Sequence, residues 1–310
     1  MICKGVRFFL LFLVLVSFNS PAFAQEWSDE ISVELPGTDM TILPEFDIDP
    51  NTGHLHIVTM ISPRGVLYTE TDADGNILQQ YPLDYASRDK NGNGNNYGAT
   101  VTVDAQGRPH ICYREYYSGD PPKFSTYYTY YNGSSWVSPT KISHQVMRGW
   151  MIRADIGRDG KVHIARGSMA NNPGEELIGP VKYFRFNNGS PESTTDDIYR
   201  YRADDRVEID ATYENQVHLI LGCPDYPPQG GPVWYWRSFD NGDTWKKSEI
   251  HNPNARGGNG SPDLFVDASG NVHIVYGSEL DYEINRMPSV RYARFENDSH
   301  QFDVRVTDAG

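Results

Sequence analysis

One segment occurs five times in this sequence, each copy built around a histidine at the same place. Successive histidines are 54, 53, 55 and 55 residues apart. Such a period is typical of repeat architectures, in which every repeat forms one supersecondary unit. The five copies are FDIDPNTGHLHIV with His56, VTVDAQGRPHICY with His110, ADIGRDGKVHIAR with His163, VEIDATYENQVHLIL with His218 and LFVDASGNVHIVY with His273.

Each repeat predicts four short β-strands. The residues before the turn, such as Phe46 and Ile48, alternate apolar with polar, as a strand with one core-facing side requires. The histidine starts a second strand, a Val-x-Tyr pattern ending at Tyr292 in the fifth repeat marks a third, and a fourth follows a polar turn. Solenoid repeats are shorter and have fewer strands. The pattern therefore predicts an all-β fold, a β-propeller of four-stranded antiparallel blades, as a single domain over residues 25–310.

The turn between strands three and four of the fourth repeat carries a motif. It runs Ser238-Phe239-Asp240-Asn241-Gly242-Asp243-Thr244-Trp245, and Asn132-Gly133-Ser134-Ser135-Trp136 is a remnant of it. The aspartate is suited to cap backbone amides, the glycine to adopt positive φ, and the tryptophan to pack beneath. The motif matches the Asp box, or bacterial neuraminidase repeat. The chain thus resembles the Asp-box propellers, which include sialidases, polysaccharide lyases such as ulvan lyases, and non-enzymatic proteins; the resemblance implies the fold and leaves the activity open.

The number of blades has two solutions from the sequence. Five repeats are complete, and Trp27 to Leu35 resembles a fourth strand without its three predecessors. The fifth repeat has a fourth strand of its own, Phe302 to Thr307. The alternatives are a five-bladed ring with a spare edge strand, or a sequence truncated before a sixth or seventh blade. The second alternative avoids an exposed sheet edge.

The N-terminus predicts export. Lys4 and Arg7 precede an apolar run from Phe8 to Val16, and Ala22-Phe23-Ala24 fits a signal peptidase site, so residues 1–24 are expected to be a signal peptide. We expect a secreted or periplasmic monomer with no membrane segment, since about 20 apolar residues are needed to span a bilayer. The net charge of −14 opposes nucleic-acid binding but permits an anionic ligand held by a local arginine cluster.

Cysteine and metal chemistry receive little support. Cys112 and Cys223 lie in the second and fourth repeats and are predicted to be buried free thiols. No paired-histidine motif, cysteine cluster or complete calcium loop occurs in the sequence. We expect no cofactor and no metal ligands, while a structural calcium or zinc ion stays open.

A binding site is expected where the repeat is broken, at the mouth of the central channel. The connections from strand two to three and from strand four into the next blade are rich in aromatic residues and arginines, which suit an acidic polysaccharide. These loops were predicted at 91–98, 114–123, 143–150, 166–177, 199–206, 223–231, 251–261 and 279–287. The predicted substrate-binding residues are Arg114, Tyr116, Arg148, Trp150 and Arg256.

Two arginines stand at equivalent first-strand positions of neighbouring blades. Arg153 and Arg206 occupy the place that Glu45, Thr100 and Asp263 hold in the other repeats. Two guanidinium groups facing one channel could clamp a uronate or sialate carboxylate. The structural alternative is a set of inter-blade salt bridges with Asp155, Glu208 and Asp47.

Three functions follow from these residues. A polysaccharide lyase of the ulvan-lyase kind needs a group that neutralises the uronate carboxylate, a base for the C5 proton and an acid for the leaving oxygen. The alternatives are a non-catalytic binding or scaffold propeller, and a sialidase-like hydrolase, against which the absence of the Arg-Ile-Pro motif counts. The predicted catalytic residues for the lyase are His144, Tyr199, His251, Arg153 and Arg206.

Overall fold

The computed structural model describes residues 41–61, 65–83, 98–117, 123–145, 152–167, 179–201, 206–222, 233–250, 255–256, 262–281, 287–296 and 299–306. The predicted signal peptide and the predicted strand from Trp27 to Leu35 lie outside these ranges, as do Arg148, Trp150, Cys223 and His251. Within the described ranges, no helix is long and apolar enough to cross a membrane.

Every repeat forms one antiparallel sheet, which we call a blade and number from the N-terminus. Blade 1 contains β1 (Thr41–Ile48), β2 (Leu55–Ile61), β3 (Gly65–Thr71) and β4 (Ile77–Pro82). Blade 2 contains β5 (Ala99–Val103), β6 (Pro109–Tyr117), β7 (Lys123–Tyr130) and β8 (Thr140–Gln145). Blade 3 contains β9 (Ile152–Ile156), β10 (Val162–Arg166), β11 (Gly179–Asn187) and β12 (Ser190–Tyr201).

The last two blades repeat this plan. Blade 4 contains β13 (Arg206–Asp210), β14 (Val217–Gly222), β15 (Val233–Ser238) and β16 (Lys246–Ile250). Blade 5 contains β18 (Asp263–Val266), β19 (Val272–Asp281), β20 (Met287–Glu296) and β21 (Ser299–Arg305), with the short β17 (Ala255–Arg256) paired to the far end of β19. The first strands β1, β5, β9, β13 and β18 neighbour one another in this order around a common axis. The fold is a β-propeller, as the repeat predicted.

Each blade has two faces with different roles. The front face carries the repeated histidine and packs on the back face of the next blade. Tyr68 of blade 1, for example, joins one core cluster with Val101 and Ile111 of blade 2. Equivalent clusters join blades 2 and 3, blades 3 and 4, and blades 4 and 5. The hydrophobic core therefore lies in four seams between neighbouring blades.

The repeated histidines are structural, as the sequence predicted. In every blade the Nδ1 atom of the histidine lies 2.6–2.7 Å from the hydroxyl of the tyrosine in the Val-x-Tyr pattern. In blades 2 and 5 the Nε2 atom also meets the turn aspartate, at 3.3 and 3.2 Å. Each pair thus links strand two to strand three inside its own blade.

The Asp-box turn has the predicted internal hydrogen bonds. Asp240 accepts from the Thr244 amide at 2.8 Å and from the Thr244 hydroxyl at 2.6 Å. Gly242 has φ of 88°, a left-handed value that glycine adopts without steric cost. Trp245 packs edge-on against Tyr183 of blade 3, with ring centroids 5.1 Å apart. This hairpin therefore belongs to a seam between blades.

One core prediction was wrong. Phe46 and Ile48 of β1 are 42% and 38% exposed, whereas the equivalent residues of β5, Val101 and Val103, are buried. The alternation correctly identified the back face of the strand. Blade 1 stands at the start of the series, so no preceding repeat covers that face within the described residues.

Candidate functional site

A cluster of charged side chains lies where the first strands meet at the axis. Arg153 of β9 places its Nε atom 2.7 Å from both carboxylate oxygens of Glu208, which lies on β13 of the next blade. Its Nη1 atom lies 2.9 Å from Oε1 of Glu45, on β1 of blade 1. The side chains of Arg153, Glu208 and Glu45 are 15%, 18% and 30% exposed. One guanidinium therefore ties together three blades and stays within reach of solvent.

The carboxylates outnumber the guanidinium in this axial cluster. Burial raises the pKa of Glu208 to about 8, against the opposing effect of Arg153. Burial also raises the pKa of Glu45, where Arg153 again opposes and the charge of Asp263 adds to the rise. Among the described side chains the cluster holds three carboxylates and one guanidinium. Its deepest part is thus poorly suited to another anion.

The predicted arginine clamp has a mixed outcome. Arg153 makes inter-blade ion pairs, as in the structural alternative, but with Glu208 and Glu45 rather than with Asp155 and Asp47. Those two aspartates instead accept backbone amides of the following blade: Asp155 from Ala211 at 2.6 Å and Asp47 from Val103 at 2.7 Å. Arg206 begins β13, and its side chain lies outside the described part of the structure. The binding of a carboxylate by the two arginines stays a prediction.

Two predicted catalytic residues lie on outer strands, although the sequence placed them in loops. His144 is on β8, paired with Ser125, and Tyr199 is on β12, paired with Val181. Both strands continue because their residues keep pairing with the neighbouring third strand. Since strands are spaced 4.7–4.9 Å apart, each residue is about 14 Å outward from the innermost strand of its blade. His144 and Tyr199 still lie at the same end of the blades as Arg153, the end that we call the upper end.

The predicted binding residues fall into three groups. Arg114 and Tyr116 lie on β6, which runs to Tyr117, rather than in a loop; Arg114 is fully buried, so it is not part of an exposed surface. Arg256 lies on β17 at the upper end, paired with Leu280 of β19. Arg148 and Trp150, like the catalytic candidate His251, are outside the described residues.

Glu45 and Asp263 were not predicted as site residues. Both occupy the first-strand position of Arg153, in blades 1 and 5. The sequence signal was the change of charge sign at one repeated position, which indicates a meeting of opposite charges at the axis. No group of three or more histidine, cysteine, aspartate or glutamate residues in the described ranges is arranged to hold a metal ion.

Comparison with known proteins identifies the fold. No family model matches the chain, and no curated protein matches it. Among solved structures, a lectin from Burkholderia pseudomallei superposes with a TM-score of 0.58 at 8% identity, over 86% of this chain and 70% of the lectin. A Hadza microbial sialidase gives 0.56 at 12% identity, over 88% of this chain and 60% of the sialidase, so this chain spans less than two thirds of that protein. A Trypanosoma rangeli sialidase gives 0.52 at 11% identity, over 88% of this chain and 49% of that chain. These likenesses bear on the fold alone.

Proposed function

We propose that this protein is an exported, monomeric, carbohydrate-active β-propeller that cleaves an acidic, uronate-containing polysaccharide of the ulvan type by β-elimination. One observation carries the proposal: the two ends of the blades differ in use. The repeated histidine–tyrosine pairs and turn aspartates serve structure at the lower end. Residues that break the repeat, among them Arg206, Arg256, His144 and Tyr199, share the upper end.

The axial cluster indicates where such a chain would lie. Because Glu45, Glu208 and Asp263 surround Arg153, a uronate carboxylate meets net negative charge if it enters the axis. The polysaccharide would therefore lie across the upper end, with Arg206 neutralising a carboxylate. A histidine or tyrosine would remove the C5 proton, and a second group would protonate the leaving oxygen.

A second candidate function, glycan binding without cleavage, is favoured by one distance. His144 and Tyr199 are on outermost strands, about 14 Å from the innermost strands that carry Arg153 and Arg206. Acid–base catalysis requires the proton-transfer group within about 3 Å of its proton or one water away. These four residues therefore do not share one sugar ring, and a binding protein has no such requirement.

The test is an assay of the mature chain, residues 25–310, on ulvan and other uronate polysaccharides. A lyase produces unsaturated uronate, which absorbs in the ultraviolet. Arg206→Ala should abolish most of this signal, and Arg158→Ala, an exposed arginine at the lower end, should retain it. Absence of product on the whole panel, with binding retained, would establish the binding protein instead; release of free sialic acid would support a sialidase-like hydrolase.

A further inference from the structure

The tyrosine of the Val-x-Tyr pattern meets an aromatic ring of the next blade at all four seams. Tyr68 contacts Trp136 at 4.9 Å between ring centroids, and Tyr183 contacts Trp245 at 5.1 Å. In the other two seams the partner is a phenylalanine, 4.4 Å from Tyr128 and 4.7 Å from Tyr235. An aromatic from the following blade is thus a regular part of every seam.

The fifth tyrosine breaks this rule. Tyr292 of blade 5 contacts His273 and Phe302, both of its own blade, and no aromatic ring from another blade among the described residues. Its side chain is partly exposed, while Tyr68, Tyr128, Tyr183 and Tyr235 are at most 2% exposed. The front face of blade 5 therefore has an open aromatic position.

Apolar side chains surround that position. Val304, the cross-strand partner of Tyr292, is 45% exposed, and Phe302 and Phe265 are 38% and 56% exposed. At the first seam the matching pair is Tyr68 and Tyr81, and Trp136 packs on both rings. Tyr292 and Val304 together thus form an unoccupied equivalent of the surface that receives Trp136; we call it the tryptophan seat.

The chain has one further tryptophan in the matching register. Trp136 precedes Arg153 by 17 residues, and Trp245 precedes Asp263 by 18. Trp27 precedes Glu45, the equivalent first-strand residue of blade 1, by 18 residues. The segment that joins Trp27 to β1 is therefore as long as the segment that joins each seam tryptophan to the next first strand.

We propose that the segment from Gln25 to Met40 docks between blades 5 and 1 and places Trp27 on the tryptophan seat of Tyr292 and Val304. The segment is attached to β1, whose exposed back-face residues Phe46 and Ile48 form the other wall of the opening. In this arrangement the series of blades is closed by an aromatic contact of the same type as the four existing seams.

Hydrogen–deuterium exchange of the mature chain, residues 25–310, tests the docking. Trp27→Ala should raise exchange several-fold in peptides from residues 287–306 and leave peptides from residues 233–250 unchanged. The matched control is Phe239→Ala, which removes another aromatic, 46% exposed, far from the opening. It should leave peptides from residues 287–306 as they are. Unchanged exchange there in Trp27→Ala would overturn the proposal.

A double-variant comparison separates direct contact from general loosening. Trp27→Ala and Tyr292→Ala should each lower the denaturation midpoint, and the double variant should fall little further than the larger single effect. Midpoint shifts that simply add would show that the two rings do not touch. Neither readout uses enzymatic activity, so this proposal and the proposed function can fail separately.

Discussion

Arg153 holds Glu208 of the neighbouring blade with its Nε atom 2.7 Å from both carboxylate oxygens. The same guanidinium reaches Glu45 of blade 1, so it crosses the axis past blade 2. The contact is one of the few inter-blade links that the repeat does not reproduce. Its charges are also the ones whose titration is most strongly altered by burial.

Replacement of Glu208 by glutamine should change how stability depends on pH. Burial raises the pKa of Glu208 in the folded protein to about 8, above the model value of 4.5, so the folded state binds more protons than the unfolded state between these values. Stability from this group is complete below pH 4.5 and is lost as pH rises through 8. Melting temperatures from pH 5 to 9 should therefore favour Glu208→Gln increasingly over the wild type. Parallel curves for the two proteins would contradict this.

Acid should destabilise the protein through His163. This histidine is fully buried, and burial lowers its pKa from 6.5 to about 4. The unfolded state binds the proton first, so stability is complete above pH 6.5 and falls as pH drops towards 4, by up to about 3 kcal/mol. His163→Gln should flatten the denaturant-derived stability between pH 6.5 and 4. A slope equal to that of the wild type would exclude His163 as its source.

Loss of a single seam hydroxyl should be costly. Tyr235→Phe removes the partner that lies 2.6 Å from Nδ1 of His218, and both residues are buried. We expect a loss of about 1–3 kcal/mol in the free energy of unfolding, since the imidazole nitrogen is left without its partner. Urea denaturation measures it. Tyr81→Phe, at a 44% exposed tyrosine, is the control and should change little; equal effects would mean that burial of the pair is irrelevant.

Cys112 should be inert in the folded protein. It is 1% exposed, and burial raises the pKa of its thiol well above the usual value. The thiolate is the reactive form, so a thiol reagent should modify Cys112 only after denaturation. The Cys223→Ser variant isolates this thiol. Rapid modification of that variant under native conditions would show that the seam between blades 2 and 3 opens readily.

The repeat predicted the fold well because every blade obeys the same local rules. Alternation, the turn and the Val-x-Tyr pattern specify strands within one repeat, and the structure places the histidine–tyrosine pairs accordingly. Cys112 is a buried free thiol, as predicted. The equivalence of Arg153 with Glu45 and Asp263 was also visible in the sequence.

The site was harder to predict because it depends on contacts between repeats. Sequence equivalence showed that Arg153 faces the axis but did not show that its guanidinium passes blade 2 to reach Glu45. The ends of the strands were misjudged as well. β6 and β12 extend through Tyr117 and Tyr201, since cross-strand pairing continues past the repeat template and turns expected loop residues into strand residues.

The uniform seams also create a problem of order during folding. Any front face offers a tyrosine, and any back face offers an apolar strand, so blade 1 could join blade 3 by much the same contacts that join it to blade 2. Such joins are kinetic traps that hydrophobic burial alone rejects only weakly. The ion pairs of Arg153 with Glu208 and Glu45 form only when blades 1, 3 and 4 are correctly arranged. Charge at the axis thus distinguishes the native sequence of blades from its permutations.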